Sequence, residues 1–364
     1  MSLAISTWNV NSVRLRLDNI AALAEEHNPD VICLQETKVV NDSFPRDALA
    51  DLGYPHQVIN GIKGYNGVAI LSRLPFVDSG MREWCGKADG RHAWAALENG
   101  VEVNNFYVPA GGDVPDPLTN DKFAHKLDFL AEMTNWFAAR KAPDNKLVLV
   151  GDLNVAPLEN DVWSHTALLK VVSHTPVEVE ALTRVYQSHD WVDAVRNFIP
   201  AEQPLFSWWS YRARDWEVSD RGRRLDHIWV TPALKGALGA AEVVKAVRGW
   251  EKPSDHVPVL VELAAQGSTV IVVTNDDLHN EAFKQRLLMK AEMVGVRESV
   301  HAFEREVLHT KALLGDTYYL DGSMNFTQNG IQVNDETVSL VLDPNDVQTA
   351  RIDYLDRYKP PDLA

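Results

Sequence analysis

Cysteine is nearly missing from this chain: Cys33 and Cys85 are the only two, too few for a disulfide framework. Cys33 lies in the apolar run Asp30-Val-Ile-Cys-Leu34, where a thiol serves as a small buried hydrophobe. Long hydrophobic runs are missing too. No uninterrupted segment is long enough to cross a bilayer, and the first residues lack a basic stretch followed by an apolar core. A soluble protein of a reducing cytoplasm is expected, with no membrane partner. Positive charge is also scarce, with 35 Lys and Arg against 51 Asp and Glu and a net charge of −16. Long-range steering of a polyanion would therefore be repulsive, which argues against tight non-specific binding of nucleic acid. Three basic stretches survive the deficit: Arg82, Lys87 and Arg91; Lys245, Arg248 and Lys252; and Arg212, Arg214, Arg221, Arg223 and Arg224, interleaved with Tyr211 and Trp216. Each could hold a phosphate locally, a bound divalent metal offsetting some of the carboxylates.

What is present is an ordered series of short polar motifs, most of them at the end of an apolar run. They are Trp8-Asn9-Val10-Asn11, Gln35-Glu36-Thr37-Lys38, Tyr107-Val108-Pro109, Gly151-Asp152-Leu153-Asn154, Arg224-Leu225-Asp226-His227 and Ser254-Asp255-His256. The 364 residues suffice for two domains, and 45% hydrophobic with 24% charged residues is ordinary for a globular protein. Strands are predicted at Leu3–Val10, Asp30–Gln35, Gly67–Leu71, Trp94–Leu97, Val101–Tyr107, Lys146–Val150, Leu225–Val230 and Val257–Leu263. Helical spacing appears in Leu17–His27 and Phe123–Ala139. Strands outnumber helices, which favours a layered α+β sandwich over a doubly wound parallel sheet. The text changes at Ala264-Ala265-Gln266-Gly267-Ser268, a small, flexible linker. Domains of residues 1–264 and 269–364 are expected, joined by 265–268.

Acids and amides collected at strand ends can converge on one metal and one phosphate. Phosphodiester hydrolysis needs a hard cation, an oriented water and stabilisation of charge on the phosphoryl oxygens. Mg²⁺ takes oxygen ligands and binds through one or two carboxylates. Asn9, Glu36, Asp152, Asn154 and Asp255 form the candidate metal-facing set, with Mg²⁺ expected and Mn²⁺ as the alternative. Tyr107, Asp152, Asn154, Asp226, Asp255 and His256 are the candidate catalytic residues. Tyr107 can offer a phenol, Asn154 a neutral hydrogen bond, and His256 a cation if a carboxylate lies near it. Either Asp152 or His256 could take the water's proton. His227 reads as structural.

This ordered set resembles the exonuclease III family of AP endonucleases, within the endonuclease/exonuclease/phosphatase superfamily, over residues 1–264. The resemblance implies a four-layer α/β-sandwich of two packed mixed sheets flanked by helices. It also implies a Mg²⁺-dependent DNA repair nuclease that cleaves 5′ to abasic sites and trims 3′ ends of duplex DNA. Glu36 matches the family's metal ligand, with Asn9 its neighbour. Tyr107, Asp152 and Asn154 match the residues on the phosphate and the water, Asp226 a residue near the phosphate, and Asp255 and His256 the terminal pair. Gly151-Asp-Leu-Asn-Val-Ala-Pro157 followed by Asp161 has the form typical of AP endonucleases. Phe206-Ser-Trp-Trp-Ser-Tyr-Arg212 resembles the loop that lines the abasic pocket, where apolar rings suit a sugar without a base. Phe206, Trp208, Trp209, Arg212 and Arg91 are therefore expected to face DNA, and Gly64-Tyr-Asn-Gly-Val68 matches positions near its backbone.

In the second domain, His309-Thr310-Lys311, Asp316, and Gly322-Ser323-Met324-Asn325 resemble the HKD motif of the phospholipase D superfamily, with Glu336 at an orienting position. A smaller α/β half domain is implied. His309 would be the nucleophile and Lys311 a phosphate ligand, supported by Ser323 and Asn325. The interval from Asp316 to Gly322 is one residue shorter than the family's usual spacing. The superfamily's site takes two such motifs, and only one is present here. Either two copies of the chain complete a site as a homodimer, or the domain is an inactive binding or dimerisation module. A phospholipase D-type hydrolase of lipid or small phosphodiesters is the rival reading of the whole chain.

Overall fold

The computed structural model describes Ser2–Ala264 except residue 214; beyond Ala264 it describes five strands and the single residues 285, 288, 289, 292 and 349. The chain divides into two compact units, Ser2–Ala264 and Ala265–Ala364.

The first unit is built on two six-stranded sheets. One has the order Leu238–Val243, Val259–Leu263, Leu3–Asn9, Val31–Gln35, Val68–Ser72, His56–Asn60. The other runs Phe76–Met81, His92–Leu97, Glu102–Tyr107, Leu147–Asp152, Asp226–Val230, Val192–Asp193. Each is mixed: Leu3–Asn9 pairs parallel with Val31–Gln35 and antiparallel with Val259–Leu263, and Leu147–Asp152 behaves likewise toward Glu102–Tyr107 and Asp226–Val230. Their inner faces meet in one core, where Ile5, Cys33, Ile70 and Val261 of the first sheet pack with Val103, Val150 and Ile228 of the second. The helix Leu17–His27 covers the outer face of the first sheet through Ile20, Leu23 and Ala24. The helices Asp121–Ala139 and Pro176–Ser188 cover that of the second through Phe129, Met133, Phe137, Leu182 and Val185. This is the expected four-layer sandwich.

Four strands of the two sheets and one long helix go beyond the sequence pattern, the two-residue Val192–Asp193 among them. Phe76–Met81 and Leu238–Val243 are edge strands, each with a bulge, and neither has a fully buried residue, so their apolar alternation is weak. His56–Asn60 and Val192–Asp193 are the other two, each at a sheet edge. Pro176–Ser188 opens with Pro at its first turn and a capping box between Thr175 and Glu178. The last strand starts at Val259 rather than Val257, because Pro258 lacks the N–H that pairing requires.

In the second unit, Val270–Thr274 pairs parallel with Val300–Glu304. Ala312–Leu314, Tyr319–Gly322 and Val338–Val341 form an antiparallel sheet. The linker 265–268 and the candidates His309, Lys311, Asp316, Ser323, Asn325 and Glu336 lie outside the described residues.

Two histidines in the second sheet are fully buried. His92 stacks on Phe106 with centroids 4.2 Å apart, and His227 lies 2.9 Å from the Val155 carbonyl. Burial, the first cause in each case, pushes both imidazoles down to about 3. Above the ordinary value of 6.5 both folded and unfolded forms are neutral. Below it the unfolded chain takes up protons that the fold refuses, so stability falls with pH at roughly 1.4 kcal/mol per unit per histidine. The thermal midpoint should therefore drop steeply from pH 6.5 to pH 4 in a calorimetric series; a flat response would contradict this assignment.

Candidate active site

Side chains alternate along a strand, so residues two apart share a face. The inner face of the second sheet reads Val148, Val150, Asp152 on one strand and Val230, Ile228, Asp226 on its antiparallel neighbour. Glu102–Tyr107 adds Val103, Asn105, Tyr107, and across the gap Leu3–Asn9 reads Leu3, Ile5, Thr7, Asn9. The periodicity that buries valine in the middle of the sandwich thus brings polar groups together at one mouth. Asp152 lies directly opposite Asp226 in one ladder and Tyr107 in the other. Gln35 and Asn105, joined at 2.7 Å, form a buried polar floor beneath them.

Asn9 gathers two acids. Its amide Nδ2 donates to Glu36 Oε1 at 3.0 Å and to Asp152 Oδ2 at 2.9 Å. The Tyr107 hydroxyl donates to the same Glu36 oxygen at 2.8 Å, and Lys38 Nζ lies 2.7 Å from Glu36 Oε2. On the other side, His256 Nδ1 lies 2.8 Å from Asp226 Oδ2 while its Nε2 faces Asp152 Oδ2 at 3.7 Å. The backbone is strained where the strands let go. Asn11, Glu36, Lys38 and Asn154 all take the left-handed conformation, with φ of 47°, 51°, 57° and 53°. Gly151 has φ 139°, and a Cβ there would lie 1.9 Å from the Phe106 carbonyl oxygen, so only glycine fits.

The charges follow from these contacts. Burial opposes ionisation of Glu36, but the hydrogen bonds from Asn9, Lys38 and Tyr107 and the Lys38 charge outweigh it, leaving the carboxyl below its ordinary value. Burial raises Asp152, and the charges of Asp226 and Glu36 add to this against His256 and Asn9; the result is about 7. Burial also opposes charging of His256, yet the carboxylates of Asp226 and Asp152 prevail and push it up to about 10. Burial and the neighbouring acids hold the Tyr107 phenol well above its usual range. At neutral pH the site therefore has a charged His256 facing an Asp152 near its midpoint.

The donor set suits a hard divalent cation. Glu36 offers an ionised carboxylate and Asp226 Oδ1 is a buried carboxylate oxygen with no hydrogen-bond partner, whereas the charged His256, though clustered with Asp152 and Asp226, has no lone pair for a metal. Two residues of the expected metal set are engaged elsewhere. The Asn154 amide donates to the Val108 carbonyl at 2.9 Å, and the Asp255 carboxylate accepts from Asn11 at 3.2 Å and from the Trp208 indole at 2.9 Å.

A family model described as the endonuclease/exonuclease/phosphatase family matches residues 6–256. The chain belongs to that family. Among its members, exodeoxyribonuclease III of Haemophilus influenzae is 30% identical over 270 residues, covering 70% of this chain and 98% of the relative. An AP endonuclease structure from Archaeoglobus fulgidus superposes with a TM-score of 0.66 at 32% identity, covering 71% of this chain and 98% of that one. A Neisseria 3′ phosphatase bound to a product DNA hairpin gives a TM-score of 0.66 at 33% identity, covering 72% and 99%. A second model, described as cardiolipin synthase, PLD-like domain, matches residues 246–356, so the C-terminal segment is phospholipase D-like as its HKD motif implies.

In this exonuclease III-type sandwich the aromatic loop adjoins the acids. Trp208 bridges His256, the Trp209 amide donates to the Asp255 carbonyl at 2.9 Å, and Val257 donates back to Ser207 at 2.8 Å. Trp208 is half-buried at the rim, Phe206 is half-buried and packs edge-on against Trp209, and Arg212 is exposed. Trp209 differs from expectation. It is 2% exposed, packs edge-on against Trp216 and gives its indole N–H to Asp220, so it supports the loop from within. The arginine-rich stretch is also partly structural: Arg224 is buried on Asp193 and Asp161, while Arg223 stacks on Trp208 and bonds Ser173 at 2.8 Å. Arg91 frames the site from outside, over the Tyr107 ring at 5.0 Å and paired with Asp89 at 2.5 Å. Lys38, Asn11 and Ser207 carry weight that the sequence did not reveal. All three stand inside the quoted motifs, but nothing in the sequence pairs Ser207 with Asp226, to whose Oδ2 it donates at 2.6 Å.

Proposed function

We propose that Ser2–Ala264 is a Mg²⁺-dependent nuclease that cleaves duplex DNA 5′ to abasic sites and trims 3′ ends. The observation that carries this reading is His256, fixed by Asp226 on one ring nitrogen and turned toward Asp152 with the other. The family relatives, named as an exodeoxyribonuclease, an AP endonuclease and a DNA-bound 3′ phosphatase, support DNA as the substrate.

Glu36, held by Asn9, Tyr107 and Lys38, would supply the carboxylate for the cation, which when bound neutralises charge on a phosphoryl oxygen. The protein's own groups do the rest. His256, charged, donates from Nε2 to a non-bridging oxygen, and Tyr107 and Asn154 complete the phosphate's hydrogen bonds. Asp152, titrating near 7, takes the proton of the attacking water. The new O–P bond forms as the P–O3′ bond breaks, leaving a 3′-hydroxyl and a 5′-phosphate on the abasic sugar. Of the two candidate bases Asp152 is the better, since an imidazole at about 10 holds its proton at working pH.

These assignments fix a pH profile. Incision of a duplex carrying a tetrahydrofuran abasic mimic should rise through about 7 as Asp152 ionises and fall near 10 as His256 loses its proton. Asp226→Asn removes the carboxylate charge that lies 2.8 Å from His256 Nδ1 and raises it most. Its alkaline limb should move down toward the ordinary 6.5, while the acid limb also falls because Asp226 raises Asp152. The product end should be extendable by a DNA polymerase. A blocked 3′ end, or an unchanged alkaline limb in Asp226→Asn, would contradict the assignment.

For the phospholipase D-like segment, the single HKD motif supports a composite site between two copies, independent of incision. His309→Ala should leave incision within twofold, and sedimentation should show dimers; strict monomers would rule the composite site out. Among the described residues no helix is long and apolar enough to cross a membrane, and a DNA-acting enzyme in the cytoplasm is the placement we propose.

A further inference from the structure

A fully buried ion pair lies directly behind the site, in a position that the chemistry above does not use. Lys126, on the helix Asp121–Ala139, has no exposed surface, and neither has Glu178 on Pro176–Ser188. An ammonium has three N–H groups to satisfy. Here Nζ donates one to the Glu178 carboxylate, one to the Asn154 carbonyl at 2.8 Å and one toward the Ala110 carbonyl at 3.3 Å. Glu178 is saturated in turn, accepting from the Ser173 amide at 3.0 Å, the Thr175 amide at 3.2 Å and the Thr175 hydroxyl at 2.5 Å. It is also the capping-box acid of its own helix.

The two carbonyls that Lys126 holds belong to the two loops that carry the phosphate-facing residues. Ala110 closes Tyr107-Val108-Pro109-Ala110, and Asn154 ends Gly151-Asp152-Leu153-Asn154. Asn154 is pinned from three sides: Asp152 Oδ1 accepts from its amide N at 3.0 Å, its side chain donates to the Val108 carbonyl at 2.9 Å, and Lys126 holds its own carbonyl. Its left-handed backbone, φ 53°, has no regular secondary structure to maintain it. Gly111 shows how closely the lysine is fitted, since a Cβ there would lie 3.0 Å from Lys126 Cδ. A well-packed apolar pair is often as good for stability as a buried ion pair, so the desolvated charges need a reason other than folding.

We propose that the Lys126–Glu178 pair is a positioning device for the nuclease reaction: by its grip on the Asn154 and Ala110 carbonyls it sets the aim of Asn154 and Tyr107 at the bound phosphate. The proposal rests on the nuclease reading above. It is distinct from a general stabilising role, because its effect passes through Asn154.

The test compares the wild-type chain with Lys126→Met/Glu178→Gln, which removes both buried charges together and nearly keeps each side chain's volume. The double variant should unfold at a temperature close to that of the wild type. Single-turnover incision of the tetrahydrofuran duplex with Mg²⁺ should fall about 30-fold, with KM within about threefold. Adding Asn154→Ala to the double variant should cost little beyond Asn154→Ala alone, because the two changes disable one unit. A folded double variant with wild-type kcat, or losses that multiply with Asn154→Ala, would overturn the proposal. Should the double variant fail to fold, Lys126→Leu/Glu178→Leu, which replaces the pair by apolar side chains, serves in its place under the same comparison. A wild type inactive on this duplex would instead refute the nuclease reading. The positioning claim would then be read from a crystal structure of the double variant, where Asn154 should leave the left-handed region; an unmoved Asn154 would overturn it.

Discussion

Asp152→Asn is expected to lower single-turnover incision of abasic duplex by about 10⁴-fold while leaving the fold intact. The substitution keeps shape and can still accept the Asn9 amide, which donates to Asp152 at 2.9 Å. What it removes is the one group at the mouth that is both near its midpoint at neutral pH, at about 7, and in reach of the water and the phosphate. Burial and the nearby Asp226 and Glu36 charges make an ionised Asp152 costly to the fold, so the thermal midpoint should hold or rise in the variant. A gain in stability with a large loss in rate is the behaviour of a residue placed for chemistry at the expense of folding. Stopped-flow incision beside calorimetry checks both halves. Retention of more than a tenth of the rate would remove Asp152 as the base.

Glu36→Ala should be nearly as severe, about 10³-fold, which corresponds to several kcal/mol of lost metal-assisted stabilisation. Its carboxylate is held by Asn9, Tyr107 and Lys38, and their combined effect keeps it ionised despite burial. The variant differs from Asp152→Asn in one respect. Its loss should be partly relieved by raising Mg²⁺, because a weakened cation site can be refilled by mass action, whereas an absent base cannot. Titration of the incision rate with Mg²⁺ separates the two. An apparent metal affinity unchanged by Glu36→Ala would mean that the cation is held by Asp152 and Asp226 alone.

Much of this arrangement is legible in the sequence because strand periodicity and site chemistry share one pattern. A valine every second residue followed by an acid, as in Val148, Val150, Asp152, announces both a buried strand and a polar mouth. Eight of the twelve strands in the two mixed sheets follow from their apolar runs. What escapes is of two kinds. Edge strands such as Phe76–Met81 bury too little to show alternation, and Pro176–Ser188, whose capping box is written in Thr175-Pro176-Val177-Glu178, has a signal that only the fold makes prominent. The second kind is pairing at long range. That Ser207 supports Asp226, that Lys38 reaches Asn11, and that Trp209 turns inward while Trp208 stays at the rim are consequences of register. Arg224 makes the same point: a basic stretch looks like a phosphate site until Asp161 and Asp193 are seen to neutralise it.

The most direct test is incision of an abasic duplex by the full-length protein with Mg²⁺ and with EDTA. The account predicts a single nick on the 5′ side of the tetrahydrofuran residue with Mg²⁺, and an intact strand with EDTA. A strand left intact in Mg²⁺, or cut equally well in EDTA, would contradict it.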